Sequence, residues 1–208
     1  MNVHIEGNIG AGKSTLLNYI QTNFGNNFKF NVSQEPVDQW MNLRDGENNI
    51  LDKFYEDPKR WSFAFQMNCF ITRTSKVNKL PSDELNFIER SIYSDKIFAS
   101  NCFSNGMMNP IEMEIYSNWS NWLEFELCPK IDKIIYLRST PEVSYDRIKQ
   151  RSRTGESDIS LEYLTQLHEL HDQWLTSTDI PVLTIDADKL DYNNHEFYDV
   201  IYTNFFHH

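Results

Sequence analysis

Three observations predict a three-layer α/β domain with a parallel sheet flanked by helices. Apolar strand-like runs alternate with segments of helical spacing along the chain. The first run passes directly into a glycine-rich loop and then a helix, in "NVHIEGNIGAGKSTLL". A length of 208 residues at 40% hydrophobic and 24% charged suffices for one core without room for two, so residues 1–208 read as a single domain.

Taken in order, "NVHIE" (2–6) is a buried strand and Lys13 to about Phe24 the helix opened by the loop. "FKFNVSQ" (28–34) is a second strand, followed by a helix-rich stretch from about Asn49 to Val77. "ELNFIE" (84–89) is a third strand, helical patterns fill about 93–127, and "KIIYLR" (133–138) is a strongly apolar fourth strand. Ser139 and Thr140 then offer N-caps, Pro141 suits a first helical position, and Glu142 completes a capping-box pattern with Ser139. A helix over about Leu161–Leu175 leads to a last strand, "PVLTID" (181–186). Strands separated by helices imply parallel pairing with right-handed crossovers. Neither an internal repeat nor a linker interrupts the pattern.

Charge and cysteine usage narrow the function classes. A formal charge of −11 weighs against a nucleic-acid partner and equally against an anionic membrane surface. Cys69, Cys102 and Cys128 are widely spaced and odd in number, which argues against a disulfide framework or a zinc site and fits a reducing compartment. With the first strand starting at about Asn2, no targeting segment is expected, and no apolar run approaches the roughly 20 residues that span a bilayer. The expected location is the cytosol, in preference to the nucleus.

In sheets of this kind ligands sit beyond the carboxyl ends of the strands. After the first strand, Gly7 to Ser14 fits G-x-x-x-x-G-K-[ST] at every required position. Backbone N–H groups of such a loop cradle phosphates, Lys13 reaches the β/γ oxygens, and Ser14 can hold magnesium. After the second strand, Pro36 forces the chain to turn and displays Glu35, either as a proton acceptor for a hydroxyl or as a solvated loop carboxylate. Trp40 nearby is a ring wall or core. Glu89 closes the third strand where the magnesium-side acid of loop-type NTPases often stands, and Arg90 could neutralise charge at the transferring group or hold the acceptor. In "RIKQRSRTGE" (147–156), Arg147 and Arg151 share a helix face and Arg153 comes next, which reads as a basic lid or as a solvated basic face. Gln66, Cys69 and Arg73 lie on one face of an aromatic-rich helix. That face either reads the edge of a planar ligand or is the helix's solvent side.

Together, "GNIGAGKST", "EPVDQW", "DPKRWSFAFQ", "ERSIYSD", "RIKQRSR..E" and "LEYLTQLHELHDQWL" resemble the deoxyribonucleoside kinase family over nearly the whole chain. The resemblance implies a P-loop kinase fold with an arginine-rich lid at about 147–160, transferring the γ-phosphoryl of ATP to the 5′-hydroxyl of a deoxyribonucleoside, with Mg²⁺. It implies donor binding by Gly7, Asn8, Ile9, Gly10, Ala11, Gly12, Lys13, Ser14 and Thr15, with Arg147, Arg151 and Arg153 as lid arginines. Glu35 looks like the base, Arg90 the holder of the 5′-hydroxyl, and Tyr55 with Glu156 the pair on the 3′-hydroxyl. Gln66 resembles the residue bonding the nucleobase edge, Trp40 and Phe98 those packing on its ring, and Glu89 with Ser14 the metal side. Arg73 paired with Asp95 resembles the deoxycytidine and deoxyguanosine kinase branch, so deoxycytidine or a deoxypurine is expected over thymidine, whose methyl meets a charged pair badly. Relatives are typically dimers, and "IEMEIYSNWSNWLEF" (111–125) supplies either an aromatic interface or core.

Two departures stand out. "SDKIFAS" is one residue short between the Asp and "IFAS", which rotates the remainder of that helix by about 100° and threatens to misplace Phe98 or Asp95. "RTGE" lacks a second acid often present before the Glu, so Gly155 bears on lid mobility. Among rival readings, a regulatory GTPase lacks its N-K-x-D and D-x-x-G signatures. A nucleoside monophosphate kinase would need extra basic groups for an acceptor phosphate that Glu35 would repel, and a non-enzymatic nucleotide-binding protein would be indifferent to Glu35→Gln. "HELH" (168–171) is one residue short of a zinc motif and reads as helix surface; "DADKLD" (186–191) is expected near the donor base.

Overall fold

The computed structural model describes residues 1–151, 156 and 159–207. Five parallel strands form its sheet in the order β2-β5-β1-β6-β7: β1 Asn2–Glu6, β2 Phe30–Ser33, β5 Leu85–Glu89, β6 Lys133–Arg138 and β7 Val182–Asp186. All five are the strands expected from the sequence, with β2 trimmed at both ends. The central position of β1 comes from its pairing with β5 on one side and β6 on the other, for example Ile5 opposite both Glu89 and Ile135.

Helices cover both faces. α1 (Lys13–Phe24) buries Leu16, Leu17, Ile20 and Phe24 against Val3 and Ile5 of β1 and against α9 (His195–Phe205), whose Phe197, Ile201 and Phe205 recur every fourth residue. The sequence pattern predicts neither α9 nor the short α2 (Val37–Met41), and residues 44–49 form a two-stranded hairpin, β3 Arg44–Asp45 with β4 Asn48–Asn49. The helix-rich stretch resolves into α3 (Ile50–Glu56), capped by an Asn49–Asp52 capping box, and α4 (Pro58–Val77). α4 buries Ser62, Phe65, Gln66, Cys69, Phe70, Arg73, Thr74 and Val77, a stripe spaced three and four residues apart. The 93–127 region divides into α5 (Ile92–Ser104) and α6 (Pro110–Glu126), and α7 (Pro141–Arg151) and α8 (Leu161–Ser177) complete the layer.

Two local expectations are corrected. Ser139 makes no capping box with Glu142; its hydroxyl donates to Asp188 at 2.8 Å, and Thr140 Oγ1 accepts from Val143 N at the start of α7. Asp188 accepts the Thr140 N–H as well, so an aspartate 48 residues away outcompetes the local partner. His171 of "HELH" is not surface but fully buried, because Leu164, Leu167, His171 and Leu175 form the inner face of α8. His168 does lie nearer the outside and pairs with Asp172 at 3.4 Å. No described helix is long and apolar enough to cross a membrane.

The loop between β1 and α1 needs its glycines for two separate reasons. Gly7 has φ 144° and Gly10 φ 79°, and a Cβ on either would lie 2.5 Å from a backbone oxygen, Leu137 O or Ser144 O. Gly7→Ala is therefore expected to lower stability by about 1–3 kcal/mol, read as a fall in thermal midpoint. An unchanged midpoint would mean that the loop does not press on β6 as described.

Candidate active site

The carboxyl ends of β1, β2 and β5 converge on a cavity of about 600 Å³. Residues Ile9 to Thr15 line one end, and Trp40, Tyr55, Phe65, Gln66, Arg73, Asp95 and Phe98 the other, with Glu35, Glu89 and Arg90 between them. Such a volume falls within the range of small-molecule sites, about 300–1,000 Å³.

At the loop end, Lys13 Nζ donates to the carbonyls of Asn8 at 2.7 Å and Gly7 at 3.2 Å. Burial and the nearby Arg90 charge push its pKa down to about 7. Asn8 does not face the cavity: its side chain ties the loop to α8, donating to Leu164 O at 2.8 Å and accepting from Ile9 N. Ser14 Oγ donates to Glu89 at 3.0 and 3.1 Å, which sets a hydroxyl and a carboxylate side by side below the phosphate loop. Hard oxygen donors of this kind, one or two from the protein, suit Mg²⁺ that keeps its remaining positions for water and phosphate.

In the middle, Glu35 faces two arginines. Its Oε1 lies 3.0 Å from Arg73 Nη2 and 3.3 Å from Arg90 Nε. Burial alone would raise its pKa, but Arg73, Arg90 and Lys13 hold the carboxyl down at about 2. Arg90 has φ 62°, the left-handed region that bulky residues avoid. Its N–H donates to Ile5 O at 3.0 Å, and its carbonyl accepts from His4 Nδ1 at 2.9 Å, so partners on β1 hold the setting. The guanidinium donates to Ser94 Oγ at 3.0 Å and lies over the Phe98 ring at 4.7 Å.

At the far end, Arg73 Nε and Nη2 each meet Asp95 at 2.9 Å, a bidentate pair. Gln66 is 2% exposed, which rejects the solvent-face reading of this side of α4. Its Nε2 donates to Cys102 Sγ at 3.8 Å and its amide borders the cavity. Trp40 is buried beside Arg73, with its indole N–H on Thr72 Oγ1 at 2.9 Å. Tyr55 stands near Glu156, whose charge adds to burial in raising the phenol's pKa, and Glu156 itself pairs with Arg151. Despite the missing residue in α5, Asp95 and Phe98 both line the cavity, since positions three apart share a helix face.

Arg147 donates to Ala187 O at 2.8 Å, beside Leu190 and Tyr192 at the loop end of the cavity. Of residues 186–191, Ala187 and Leu190 line the cavity. Arg153 and Gly155 lie outside the described residues. Sequence reasoning missed His4, Ser94, Tyr163 and Tyr192. Only His4 carried a signal, as a polar residue inside an apolar strand.

Comparison with known proteins identifies relatives of the chain. The sequence model of the family described as deoxynucleoside kinase matches residues 3–204. A probable deoxycytidine kinase of fowlpox virus is 40% identical over 204 residues, covering 93% of this chain and 83% of that protein. Mouse deoxycytidine kinase is 38% identical over 227 residues, covering 93% and 86%. Human mitochondrial thymidine kinase 2 is 35% identical over 190 residues, covering 88% and 69%.

The buried lysine has a measurable cost. A folded-state pKa near 7 against an ordinary 10.5 means that protonated Lys13 opposes folding fully below about pH 7 and not at all above about 10.5. Lys13→Met is expected to melt above the wild type at pH 7, with the gap closing as pH rises toward 10.5. A variant that melts below the wild type at pH 7 would contradict this environment.

Proposed function

The chain belongs to the deoxynucleoside kinase family, and from that premise we propose that it phosphorylates the 5′-hydroxyl of deoxycytidine or a deoxypurine in preference to thymidine. The phosphate donor is ATP. The observation that carries the base preference is the buried Arg73–Asp95 pair beside Gln66, which presents charged donors and acceptors to the nucleobase edge. A thymine methyl placed there would set an apolar group against a buried charged pair and meet none of its remaining hydrogen-bonding capacity, at a cost of about 1–3 kcal/mol.

The deoxynucleoside lies between Gln66 and Glu35, its ring against Trp40 and Phe98 and its 3′-hydroxyl toward Tyr55 and Glu156. Glu35 orients the 5′-hydroxyl and accepts its proton, with Arg90 donating to the same oxygen. At a pKa near 2 Glu35 is a weak base. Phosphoryl transfer nevertheless passes through a loose transition state, so the hydroxyl proton becomes acidic late and a positioned carboxylate suffices. Lys13 leaves the Gly7 and Asn8 carbonyls for the β/γ oxygens, and Arg147 and Arg151 close over them, with Arg153 assigned to the same lid by resemblance. Ser14 and Glu89 would hold Mg²⁺, which supplies charge neutralisation on the β- and γ-phosphates.

Two coarser assignments accompany this reading. α6 exposes Ile111, Ile115, Trp119, Trp122 and Phe125 on one face, with Ile111 71% and Phe125 87% exposed. A stripe of that size in an acidic protein suits a second copy of the chain, so we assign a homodimer through α6. The location assigned is the cytoplasm, in keeping with Cys69, Cys102 and Cys128 all being free thiols.

Transfer from labelled ATP–Mg²⁺ to four deoxynucleosides and their 5′-monophosphates tests the reading. Deoxycytidine, deoxyadenosine or deoxyguanosine is expected as best acceptor, with Glu35→Gln slower by roughly 10²–10⁴. Thymidine as best acceptor would sink the base assignment, and monophosphates as the only acceptors would sink the role of Glu35. In sedimentation, Trp122→Glu combined with Phe125→Glu is expected to shift a dimer to monomer; a wild type that sediments as monomer would remove the α6 assignment.

A further inference from the structure

Glu6 ends β1, immediately before the phosphate loop, and none of its side chain reaches solvent. Strand alternation turns Val3 and Ile5 toward α1 and α9, and therefore His4 and Glu6 toward the opposite helical layer. His4 meets Arg90 there. The Ser91 and Ser94 hydroxyls and the Arg90 charge face Glu6, yet neither of its carboxyl oxygens has a partner at hydrogen-bond geometry. A fully buried carboxyl without a partner is costly, and a chain keeps one where function demands it.

The neighbours show what it would serve. Arg90 Nη1 donates to Ser94 Oγ, which leaves the Ser94 hydroxyl hydrogen free to continue toward Glu6. Arg90 itself holds a left-handed backbone setting and must be constrained from behind as well as in front. In front stand Glu35 and the Phe98 ring; behind, Ser94 is its side-chain partner among the described residues. We propose that Glu6 is a positioning residue for phosphoryl transfer, anchoring Arg90 through the Ser94 hydroxyl. The last link is open here and closes when the substrate hydroxyl and the phosphates draw on Arg90, as hydrogen bonds in active sites commonly tighten on binding. The inference rests on the reading of Arg90 as the group that holds the 5′-hydroxyl.

The test is steady-state kinetics on the nucleoside that the wild type phosphorylates fastest, with thermal midpoints, for Glu6→Gln, Ser94→Ala, their combination, and Arg90→Lys. Glu6→Gln and Ser94→Ala are each expected to lower kcat roughly 10- to 100-fold through misplacement of Arg90. KM should move by less than about threefold, and the combination should lose no more than the larger single loss. The midpoint of Glu6→Gln should equal or exceed the wild type, because an amide replaces an unpartnered buried carboxyl. A wild-type kcat in either single variant, additive losses, or a loss that tracks a falling midpoint would overturn the relay. If Glu6→Gln does not fold, Ser94→Ala decides alone, since it leaves the carboxyl in place. Arg90→Lys at the wild-type rate would overturn the reading of Arg90 together with the relay; an impaired Arg90→Lys beside unimpaired Glu6→Gln and Ser94→Ala would overturn the relay only.

Discussion

Arg73 is held on three sides inside the protein: two bonds to Asp95, one to Glu35, and a longer contact from Nη1 to the Glu89 carbonyl at 3.4 Å. A buried guanidinium tolerates burial only when its donors are occupied, and here α4, α5 and the ends of β2 and β5 each contribute. Remove the arginine and two carboxylates face each other in the protein interior. Much else depends on this arrangement. Glu35 stays ionised because Arg73 and Arg90 flank it, and α4 keeps its register because Gln66, Cys69 and Arg73 must all turn inward. The same guanidinium joins the end of the cavity that reads a nucleobase to the carboxylate that receives a proton.

The second constraint is steric rather than electrostatic. Gly7 and Gly10 let the loop press against the Leu137 and Ser144 backbones with no room for a Cβ. Arg90 in its left-handed setting reaches Glu35 and Ser94 with its guanidinium while its own backbone remains bonded to β1. Preorganisation of this kind matters for phosphoryl transfer, where positioning and charge do most of the catalysis. The cost is visible as Lys13 buried with a lowered pKa and Glu6 buried with neither oxygen at full hydrogen-bond geometry.

The layered architecture is legible in the sequence because its signals are local: apolar runs, one glycine-rich loop, and turns punctuated by Pro and Gly. The parts that are not legible depend on partners far along the chain. Ser139 reads as the first member of a capping box, but Asp188 claims it from across the sheet. His171 reads as surface because a lone histidine three residues from His168 shows no partner in the sequence, whereas the seven-residue spacing from Leu164 and the four-residue spacing to Leu175 reveal its face. The region after residue 186 is given no element from the sequence, although Phe197, Ile201 and Phe205 recur every fourth residue on α9. At the site, Glu35, Glu89, Arg90 and the loop are identifiable because each stands at the end of a strand. Gln66 and Arg73 stay ambiguous until packing shows which side of α4 is buried, and Ser94 gives no sign, since a serine in a helix is ordinary.

The most direct measurement is a carbon-13 carboxyl titration of Glu35, comparing wild type with Arg73→Met in the absence of ligand. A wild-type midpoint near 2, well below the ordinary 4.5, and a rise when Arg73 is removed would bear out its role as the charge that holds the site together. A wild-type midpoint near 4.5 that does not move in the variant would contradict it.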